Sequence, residues 1–386
     1  MKHLSISVII FLLFFGLASE YYAQVIKPED LLTLELTFGS EIYGTKDEYL
    51  LVIPGNINVN EKGDIIFEDE FKIKVFDRNG KGNKLIGRKG QGPGEFSYFP
   101  TINISPKGFI TAFESSSRRG SFYTIFDPDY KLIDKIRFIF SPMLEKFLAE
   151  SGISPENFGN ISNIVALDNT SIVYEMDFYK GDNQIKEAYS LLAYEDPSDF
   201  IPIFYGEKSS YFSDGNFSIN STVLGMLHWQ LLPGSKIFYL ETSEDKIINE
   251  NTGEYTFHIV SIDKKVDKKY SNKFTPNSFS KEYIERHQSN EERQMFRKKK
   301  YYCSVKIVLV DHNYVFLFLN GRDKMGNIIT HVFDIETERF VNEFSLPLST
   351  NWPGAIYSGY LYMQTLDSEG FPIIYKYKIH PSVYGK

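Results

Sequence analysis

The fold is decided by the stretch Phe71-Lys-Ile-Lys-Val-Phe-Asp-Arg-Asn-Gly-Lys-Gly-Asn-Lys-Leu-Ile86. Apolar and polar residues alternate on both sides of the turn Asp77-Arg-Asn-Gly80, as they do in half-buried strands. Asp and Asn accept hydrogen bonds from their own backbone, and Gly adopts a positive φ without strain, so such a turn favours a hairpin. The stretch therefore predicts two antiparallel strands joined by a tight acidic turn.

The same unit of strand, acidic turn and strand recurs along the chain, less regularly each time. Further copies are found at Phe122–Phe138, Ala188–Phe204, Tyr255–Tyr270 and Ile328–Phe344. Another pair of short strands precedes each unit, and these pairs include Gly63–Glu68, Gly108–Glu114, Ser171–Met176, Lys236–Glu241 and Tyr314–Asn320. Four strands per repeat is typical of a β-propeller blade. The first two acidic turns are about 50 residues apart and the later ones nearer 70, which is longer than a typical blade of about 40–50 residues, so insertions are expected.

The five units leave two segments of the chain unassigned. Asn351–Ile379 has three more strands and lacks a fourth, while the strand Leu31–Phe38 belongs to no unit. We predict that Leu31–Phe38 completes the last blade and closes the ring, because closure removes exposed sheet edges. The predicted fold class is all-β: a six-bladed β-propeller with short helical insertions.

Two insertions have helical patterns. In the first, Ser141 is a candidate N-cap, Pro142 the first helical residue and Gly152 the stop, with an apolar stripe in Met143–Leu148. The second runs from about Ser280 to Lys300, with acidic residues early and basic residues late, an order that complements the helix dipole. A solvated helix end is the preferred interpretation of its basic run, and a patch for an anionic partner is the alternative.

A glycine-rich string, Gly87-Arg-Lys-Gly-Gln-Gly-Pro-Gly-Glu-Phe96, directly follows the first hairpin. Together with Ile73–Ile86 it resembles the bacterial six-bladed β-propeller family related to NHL repeats. In that family a Gly-x-x-Gly-x-Gly-Pro-Gly-Glu-Phe signature joins the outer strand of one blade to the inner strand of the next. The resemblance is close over this stretch and architectural elsewhere. It implies an exported protein, since many members are lipoproteins.

We predict a structural role for the signature residues, which are Gly87, Gly90, Gly92, Pro93, Gly94, Glu95 and Phe96. The glycines permit positive φ and close backbone approach, and the proline stiffens the turn. Phe96 and Phe99 are expected to plug the space between adjacent blades. A phosphate-binding loop is the alternative, but the string lacks the Lys-Ser/Thr ending and no helix follows it. Arg88 and Lys89 are candidate binding residues for an anionic ligand at the rim.

The first 23 residues have the pattern of a signal peptide. Lys2 precedes the apolar run Leu4–Leu17, and Ala18 and Ala23 mark alternative cleavage sites. The run is shorter than the roughly 20 residues that span a bilayer as a helix, so cleavage is expected rather than a permanent anchor. We therefore expect residues 24–386 to form one domain without a transmembrane helix.

The single cysteine, Cys303, lies far from either cleavage site, so no lipobox cysteine is present to carry a lipid. The predicted location is therefore periplasmic or extracellular, without a lipid anchor. The formal net charge of -8 and the pI near 5.5 argue against nucleic acid as a partner, because phosphate binding needs clustered cationic surface. We expect a monomer.

A search for catalytic residues finds no recognisable constellation. The seven histidines show no metal-ligand spacing, and no Gly-x-Ser-x-Gly elbow occurs. We therefore prefer a non-enzymatic binding or scaffold protein, whose ligand is a protein, a peptide or a glycan. We expect the ligand to bind at the face that carries the Met143–Leu148 helix. No metal or cofactor is expected, and a purely structural envelope component is a third possibility.

The alternative is a calcium-dependent hydrolase or lyase, similar to the lactonases that share the six-bladed architecture. Such an enzyme needs oxygen ligands that converge on the channel from several blades. The candidate ligands near strand ends are Glu114, Asp168, Glu175, Glu241 and Asp311. Under the preferred hypothesis the protein binds no stoichiometric calcium or zinc and has no lactonase activity.

Overall fold

The computed structural model describes residues 30–115, 120–181, 185–212, 225–286, 290–348 and 352–386. Their strands form six separate antiparallel sheets, so the predicted six-bladed β-propeller is confirmed. The predicted signal peptide lies outside the described residues.

Each of the first three blades has four strands that are consecutive in the chain. Blade 1 consists of Asn58–Val59 (β2), Ile65–Asp69 (β3), Lys72–Phe76 (β4) and Gly82–Ile86 (β5). Blade 2 consists of Thr101–Ile104 (β6), Ile110–Glu114 (β7), Phe122–Phe126 (β8) and Leu132–Arg137 (β9). Blade 3 consists of Phe158–Ala166 (β10), Ile172–Gly181 (β11), Ile185–Glu195 (β12) and Phe200–Phe212 (β13).

The last three blades depart from this pattern in two places. Blade 4 has five strands, Leu227–Leu232 (β14), Lys236–Glu241 (β15), Lys246–Asn249 (β16), Thr252–Ser261 (β17) and Asp267–Phe274 (β18). Blade 5 consists of Val305–Asp311 (β19), Tyr314–Arg322 (β20), Ile328–Asp334 (β21) and Arg339–Leu346 (β22). Blade 6 combines Ala355–Tyr357 (β23), Tyr360–Leu366 (β24) and Pro372–Ile379 (β25) with Leu32–Phe38 (β1).

The strand β1 pairs with β25 in antiparallel register, from Leu32 opposite Ile379 to Phe38 opposite Ile374. The last blade is thus assembled from the two ends of the described chain, with β1 at the outer edge. Leu31–Phe38 therefore lies beside the strands of the last segment, where the sequence analysis put it.

In each of the first five blades the acidic turn joins the last two strands along the chain. In each turn the aspartate side chain accepts a hydrogen bond from the backbone N–H two residues later, at distances of 2.7–3.2 Å. These aspartates are Asp77, Asp127, Asp196, Asp263 and Asp334. The self-capping predicted for the hairpins is therefore present in all five turns.

Apolar side chains from neighbouring blades meet in six clusters, one at each seam of the ring. Second strands such as β3 and β7 are buried along their whole length, because a blade packs against them on both sides. Outer strands such as β9 and β18 are mostly exposed. The strand β18 carries Lys268, Lys269 and Lys273, which discourage pairing with another chain at the free edge. The hydrophobic core is therefore a ring of six interfaces.

The first predicted helix runs from Pro142 to Glu150 (α1), and Ser141 accepts a hydrogen bond from the N–H of Leu144 at 3.1 Å. Leu144 and Leu148 are buried between blades 2 and 3. The second insertion contains two helices, Lys281–Glu285 (α2) and Asn290–Lys299 (α3). Short 3-10 turns occur at Glu41–Tyr43, Asp47–Tyr49, Pro155–Asn157, Thr242–Glu244 and Pro381–Tyr384. No helix in the described ranges is long and apolar enough to cross a membrane.

Candidate functional site

The first strands of the six blades surround a central cavity of about 390 Å³. Every blade contributes to its lining, through residues that include Asn58, Asn103, Asn163, Gln230, Leu309 and Ile356. Each first strand has a strand partner on one side only, so its other edge carries backbone N–H and C=O groups outside the sheet ladder. The volume lies in the range of about 300–1,000 Å³ that is usual for small-molecule sites.

Three carboxamide side chains on this wall reach from one blade to the next. Asn58 of blade 1 donates to the carbonyl of Ile102 in blade 2 at 3.4 Å. Asn103 of blade 2 donates to the carbonyl of Ile164 in blade 3 at 3.2 Å. Gln230 of blade 4 likewise donates to a first-strand carbonyl of blade 5 at 3.2 Å. Each amide thus joins two first strands while its carbonyl oxygen has no protein partner among the described residues.

The corresponding positions in other blades are apolar. In blade 2, Asn103 is the residue directly after the one whose carbonyl accepts the bond from the previous blade. The residue directly after the accepting carbonyl is Val165 in blade 3 and Leu309 in blade 5. Ile356 adds an apolar side chain from blade 6. The channel wall is therefore amphipathic: neutral amides contributed by some blades face aliphatic groups contributed by others.

Asn163 is a further lining amide, and its side chain has no hydrogen-bond partner within the described part of the chain. Near the end of the channel the rings of His312 and Tyr357 lie 5.2 Å apart. The Tyr357 hydroxyl donates to the carbonyl of Glu61 at 3.0 Å, which fixes the phenol ring at this edge. The wall thus combines uncommitted amide groups with an aromatic pair at its mouth.

The cavity reaches the face formed by the turns between first and second strands. Glu61, Pro106, Pro233 and His312 line it and lie in or beside these turns. The connectors between blades, including the helix α1 and the signature string, lie at the opposite face, because each connector precedes a first strand. The predicted ligand face is therefore not the face on which this cavity opens.

The signature string connects β5 of blade 1 to β6 of blade 2. Glu95 donates its N–H to the carbonyl of Gly92 at 3.0 Å, and Gly94 has a φ of 72°. Proline at the second position and a positive φ at the third make Gly92-Pro93-Gly94-Glu95 a type II turn. The Glu95 carboxylate accepts from the N–H of Gly92 at 2.9 Å. A Cβ at Gly90 would lie 2.1 Å from that carboxylate, so the close approach needs glycine there.

The two phenylalanines predicted to plug the seam differ. Phe96 is fully buried among apolar residues of blades 1 and 2, and a Cβ at Gly87 would collide with its ring. Phe99 is 59% exposed and stacks on Phe71 with ring centroids 4.5 Å apart. The prediction for Phe99 is therefore wrong: the string has already turned toward β6 at this point, and its ring lies on the surface.

The rim candidates already have partners within the protein. Arg88 Nε lies 2.7 Å from a Glu95 carboxylate oxygen. The N–H of Gly92 and the Arg88 guanidinium together hold the pKa of Glu95 below its usual value. Lys89 Nζ lies 4.9 Å above the ring of Phe71. Both cations are at the connector face and neither lines the central cavity.

The structure does not bring the five candidate metal ligands together. Asp168 caps the backbone N–H groups of Thr170 and Ser171, and Glu241 caps that of Ser243. Glu114 accepts a hydrogen bond from the N–H of Ser97 in a connector. Glu175 accepts from Trp229 Nε1 in the next blade at 3.0 Å, and Asp311 accepts from the N–H of Ser358 in the next blade at 2.6 Å. Within the described ranges no group of three or more His, Cys, Asp or Glu side chains is arranged to hold a metal ion.

A latch made of a buried carboxylate and a lysine holds two of the connectors. In blade 1 the Asp69 carboxylate accepts from the N–H groups of Val52 and Ile53 at 3.0 and 2.7 Å. Lys74 Nζ lies 2.8 Å from the same carboxylate, and both side chains are buried. Sequence analysis missed this pair because Asp69 directly follows the predicted strand segment Gly63–Glu68, and aspartate at such a position is typical of a turn.

Blade 2 repeats the latch with different residue spacing. Glu114 accepts from the N–H groups of Ser97 and Tyr98 at 2.5 and 3.1 Å, in the connector that begins with the signature. Lys135 Nζ pairs with the other Glu114 oxygen at 2.7 Å. The end of each second strand therefore fixes the connector that leads into its own blade. Glu114 thus has a structural role here.

A buried histidine lies in the seam between blades 4 and 5. His331 Nδ1 is 2.7 Å from the Tyr255 hydroxyl, and Nε2 is 2.8 Å from a Glu343 oxygen. Burial lowers the pKa of His331 and raises that of Tyr255, so both side chains are kept neutral. Neither side chain lines the central cavity. We interpret the hydrogen-bonded side chains Tyr255, His331 and Glu343 as a structural polar contact that holds blades 4 and 5 together.

Comparisons with known proteins agree with the architecture. A family model described as 6-bladed beta-propeller matches residues 43–119, which comprise blade 1 and the first two strands of blade 2. No curated protein matches the chain. The relation to NHL repeats stays a prediction.

Solved structures with similar folds share little sequence with this chain. The β-propeller domain of Cps50 (Swd1) from Myceliophteria thermophila is 10% identical, with a TM-score of 0.44 over 90% of this chain and 100% of that one. The β-propeller domain of the Trilobed protease from Pyrococcus furiosus is 10% identical, with a TM-score of 0.39 over 84% and 94%. A protein of unknown function from Bacteroides caccae is 10% identical, with a TM-score of 0.38 over 80% and 88%. The chain is similar to six-bladed β-propellers over residues 43–119, and its own six sheets extend that architecture through the described ranges.

Proposed function

We propose that this protein is a non-enzymatic binding module whose ligand occupies the central channel. The observation that carries the proposal is the cavity of about 390 Å³, to which all six blades contribute. On its wall the Asn163 side chain and the carbonyl oxygens of Asn103 and Gln230 have no hydrogen-bond partner among the described residues. Polar groups in a concave site of this size are suited to orient a small ligand or the end of a longer one. The signal-peptide pattern of residues 1–23 supports an exported location for this binding.

The partners of the carboxylates favour binding over metal-assisted hydrolysis. A catalytic calcium needs several oxygen ligands that converge on one point. Glu114, Glu175 and Asp311 instead accept hydrogen bonds from protein groups in separate seams. These hydrogen bonds within the protein support the binding hypothesis.

Thermal stability tests the proposal, because a ligand that binds only the native state raises the melting temperature. The probes are neutral oligosaccharides, uncharged peptides, nucleosides, calcium chloride and zinc chloride. Asn163→Trp fills the cavity from a residue whose side chain has no protein partner in the described ranges. Asn342→Trp, on the exposed outer strand β22, is the matched control. We expect at least one neutral probe to stabilise the wild type and the control variant but not Asn163→Trp.

Three results would contradict this function. Stabilisation that persists in Asn163→Trp but is lost in the double variant Arg88→Ala, Lys89→Ala would move the site to the connector face. A calcium-dependent rise that disappears on replacing Glu175 or Asp311 with Ala would favour the lactonase-like enzyme. The absence of any cavity-dependent shift across the probes would also refute the proposal.

A further inference from the structure

The structure offers enough chemistry in the channel to identify the class of ligand. We propose that the channel binds an uncharged carbohydrate, with its hydroxyl groups on the amide side chains and one sugar face on the aromatic pair at the mouth. This inference rests on the proposed channel function and adds the substrate class to it. Three features support it: the amide groups have free hydrogen-bonding capacity among the described residues, the channel wall is nearly uncharged, and the His312 and Tyr357 rings lie at the mouth.

The amides are held in place and only partly used. Asn103 and Gln230 each donate one N–H to a neighbouring first strand, which fixes the plane of the amide. The carbonyl oxygen and the second N–H of each group have no partner among the described residues, so they can accept from and donate to a ligand. A sugar hydroxyl is both a donor and an acceptor, so adjacent hydroxyls match such a pair of groups. Pre-oriented amides bind them without losing further side-chain freedom.

The wall is nearly free of charge. Glu61 and His312 are the only acidic or basic side chains among the described residues that line the cavity, and both lie at the mouth. A charged group inside the channel would lose its hydration without gaining a counter-ion, which is costly in a confined site. Phosphorylated ligands and charged peptide termini are therefore disfavoured. This neutrality is notable in a chain with 50 acidic and 42 basic residues.

The aromatic pair supplies the apolar contact that sugars need. His312 is exposed, Tyr357 is half-buried, and their rings lie 5.2 Å apart at the open end. The C–H face of a sugar ring is apolar and packs on aromatic side chains, which bury large area at low entropy cost. Val165, Leu309 and Ile356 provide further apolar wall deeper in the cavity.

A second cavity makes room for a longer chain. It has a volume of about 520 Å³, lies between blades 5 and 6, and shares His312 with the channel. Its lining includes Asn313 and Tyr360 together with four charged side chains, Asp311, Glu336, Lys378 and Lys386. A saccharide longer than the channel can therefore continue past His312 along the same face. We expect affinity to rise with chain length until this second cavity is filled.

Tryptophan fluorescence provides a direct readout, because the chain has only two tryptophans and one of them, Trp229, lines the channel. In the variant Trp352→Phe the remaining signal comes from Trp229 alone. This protein is titrated with neutral cello-, malto-, xylo- and manno-oligosaccharides of two to six units, and with uncharged tetrapeptides. We expect saturable change with at least one sugar series, tighter for longer members.

Amide variants then locate the binding. Asn163→Ala in the Trp352→Phe background removes an amide that makes no hydrogen bond to other described residues, so the fold should be unaffected. We expect about tenfold weaker sugar binding, the loss of one good hydrogen bond. Asn342→Ala, on the outer strand β22, should bind as before.

The outcomes separate the two proposals. Suppose that a tetrapeptide changes the fluorescence of Trp229, that Asn163→Ala weakens the binding of this peptide, and that no sugar changes the fluorescence. The carbohydrate inference is then wrong, while the channel function stands. If neither class alters the signal, both are overturned. Sugar binding that Asn163→Ala leaves unchanged also refutes the inference, since the amides would then not contact the ligand.

Discussion

The connector face and the channel wall both link neighbouring segments of the ring, but they use different side chains to do so. At the connector face, buried carboxylates hold backbone N–H groups, as Asp69 and Glu114 do with a lysine at hand. On the channel wall, neutral amides such as Asn103 join adjacent blades. Both arrangements tie neighbouring segments of the ring together. Only the second leaves polar groups available to a ligand without placing a charge beside it.

This difference shows how an acidic protein can maintain a neutral cavity. A carboxylate that accepts two backbone N–H bonds and pairs with a lysine has most of its acceptor capacity satisfied. It stabilises the connector but offers little to a ligand or metal ion. An amide bonded through one N–H keeps its carbonyl oxygen for another donor. The predictions below test whether the two regions are divided in this way.

The largest effect is expected at the latch of blade 1. Asp69→Ala leaves Lys74 buried without its counter-ion and two backbone N–H groups unpaired, so the free energy of unfolding should fall by about 4 kcal/mol. Asp129→Ala breaks an exposed ion pair with Lys62, which solvent screens, and should reduce stability far less. Chemical denaturation measures both. Equal losses of stability in the two variants would show that the buried Asp69–Lys74 pair contributes no more than an exposed ion pair.

The seam beside that latch provides a second, slightly smaller effect. Phe96→Ala removes a fully buried ring between blades 1 and 2 and should cost about 3 kcal/mol through the cavity it leaves. The matched variant Phe99→Ala removes a ring that is 59% exposed and should cost well under about 1 kcal/mol. A large loss with Phe99→Ala would instead restore the predicted role for both rings.

The buried acid next to the latch predicts a dependence on pH. Glu68 accepts from the N–H of Asn56, while its other oxygen is buried without a partner in the described ranges, and burial raises its pKa from 4.5 to about 7. The folded state therefore retains a proton that the unfolded state releases, so stability falls as pH rises through this window. Glu68→Gln should match the wild type near pH 4 and exceed it by about 3 kcal/mol at pH 8.

Denaturation curves of Glu68→Gln at several pH values check the sign as well as the size. A loss at pH 8 would show that Glu68 is ionised and satisfied in the folded protein. A gain that is already full at pH 4 would show that the gain does not come from the ionisation of Glu68. Stability measured across pH thus distinguishes this acid from the latch acids beside it.

The smallest effects are expected at the channel wall. Asn103→Leu removes one bond to blade 3 and should reduce the free energy of unfolding by about 1 kcal/mol. Asn163→Leu removes an amide with no protein partner in the described part of the chain, so its stability should change by less than about 0.5 kcal/mol. Both variants should lose ligand affinity. A stability loss at Asn163 as large as at Asn103 would mean that the wall amides serve the fold alone.

The hairpin at Asp77–Gly80 and its copies were enough to predict the blades, because alternation and turn chemistry are local properties of the sequence. The strand Leu31–Phe38 was also predictable, since an unassigned strand and an incomplete blade must be resolved together. Phe99 was not, because burial near a turn depends on where the next strand begins.

The candidate site was much less visible in the sequence. Asn58, Asn103 and Gln230 are separated by whole blades, and nothing local distinguishes them from turn asparagines. Their shared position on the first strands appears only when the register of each blade is known. The carboxylates Glu114 and Asp311 were noticed for their charge, whereas their role follows from backbone N–H groups distant in sequence. Repeats aligned by strand position would have found the amides.

A crystal structure of the protein with a neutral hexasaccharide from the best-binding series tests the central claim most directly. We predict a sugar chain in the central channel, with hydroxyls within hydrogen-bond distance of the Asn103, Asn163 and Gln230 amides and one ring against Tyr357. We also predict that the Asp69 and Glu114 carboxylates keep their backbone partners. A ligand bound at the connector face beside Arg88 and Lys89, or a metal ion held by the carboxylates, would contradict the account.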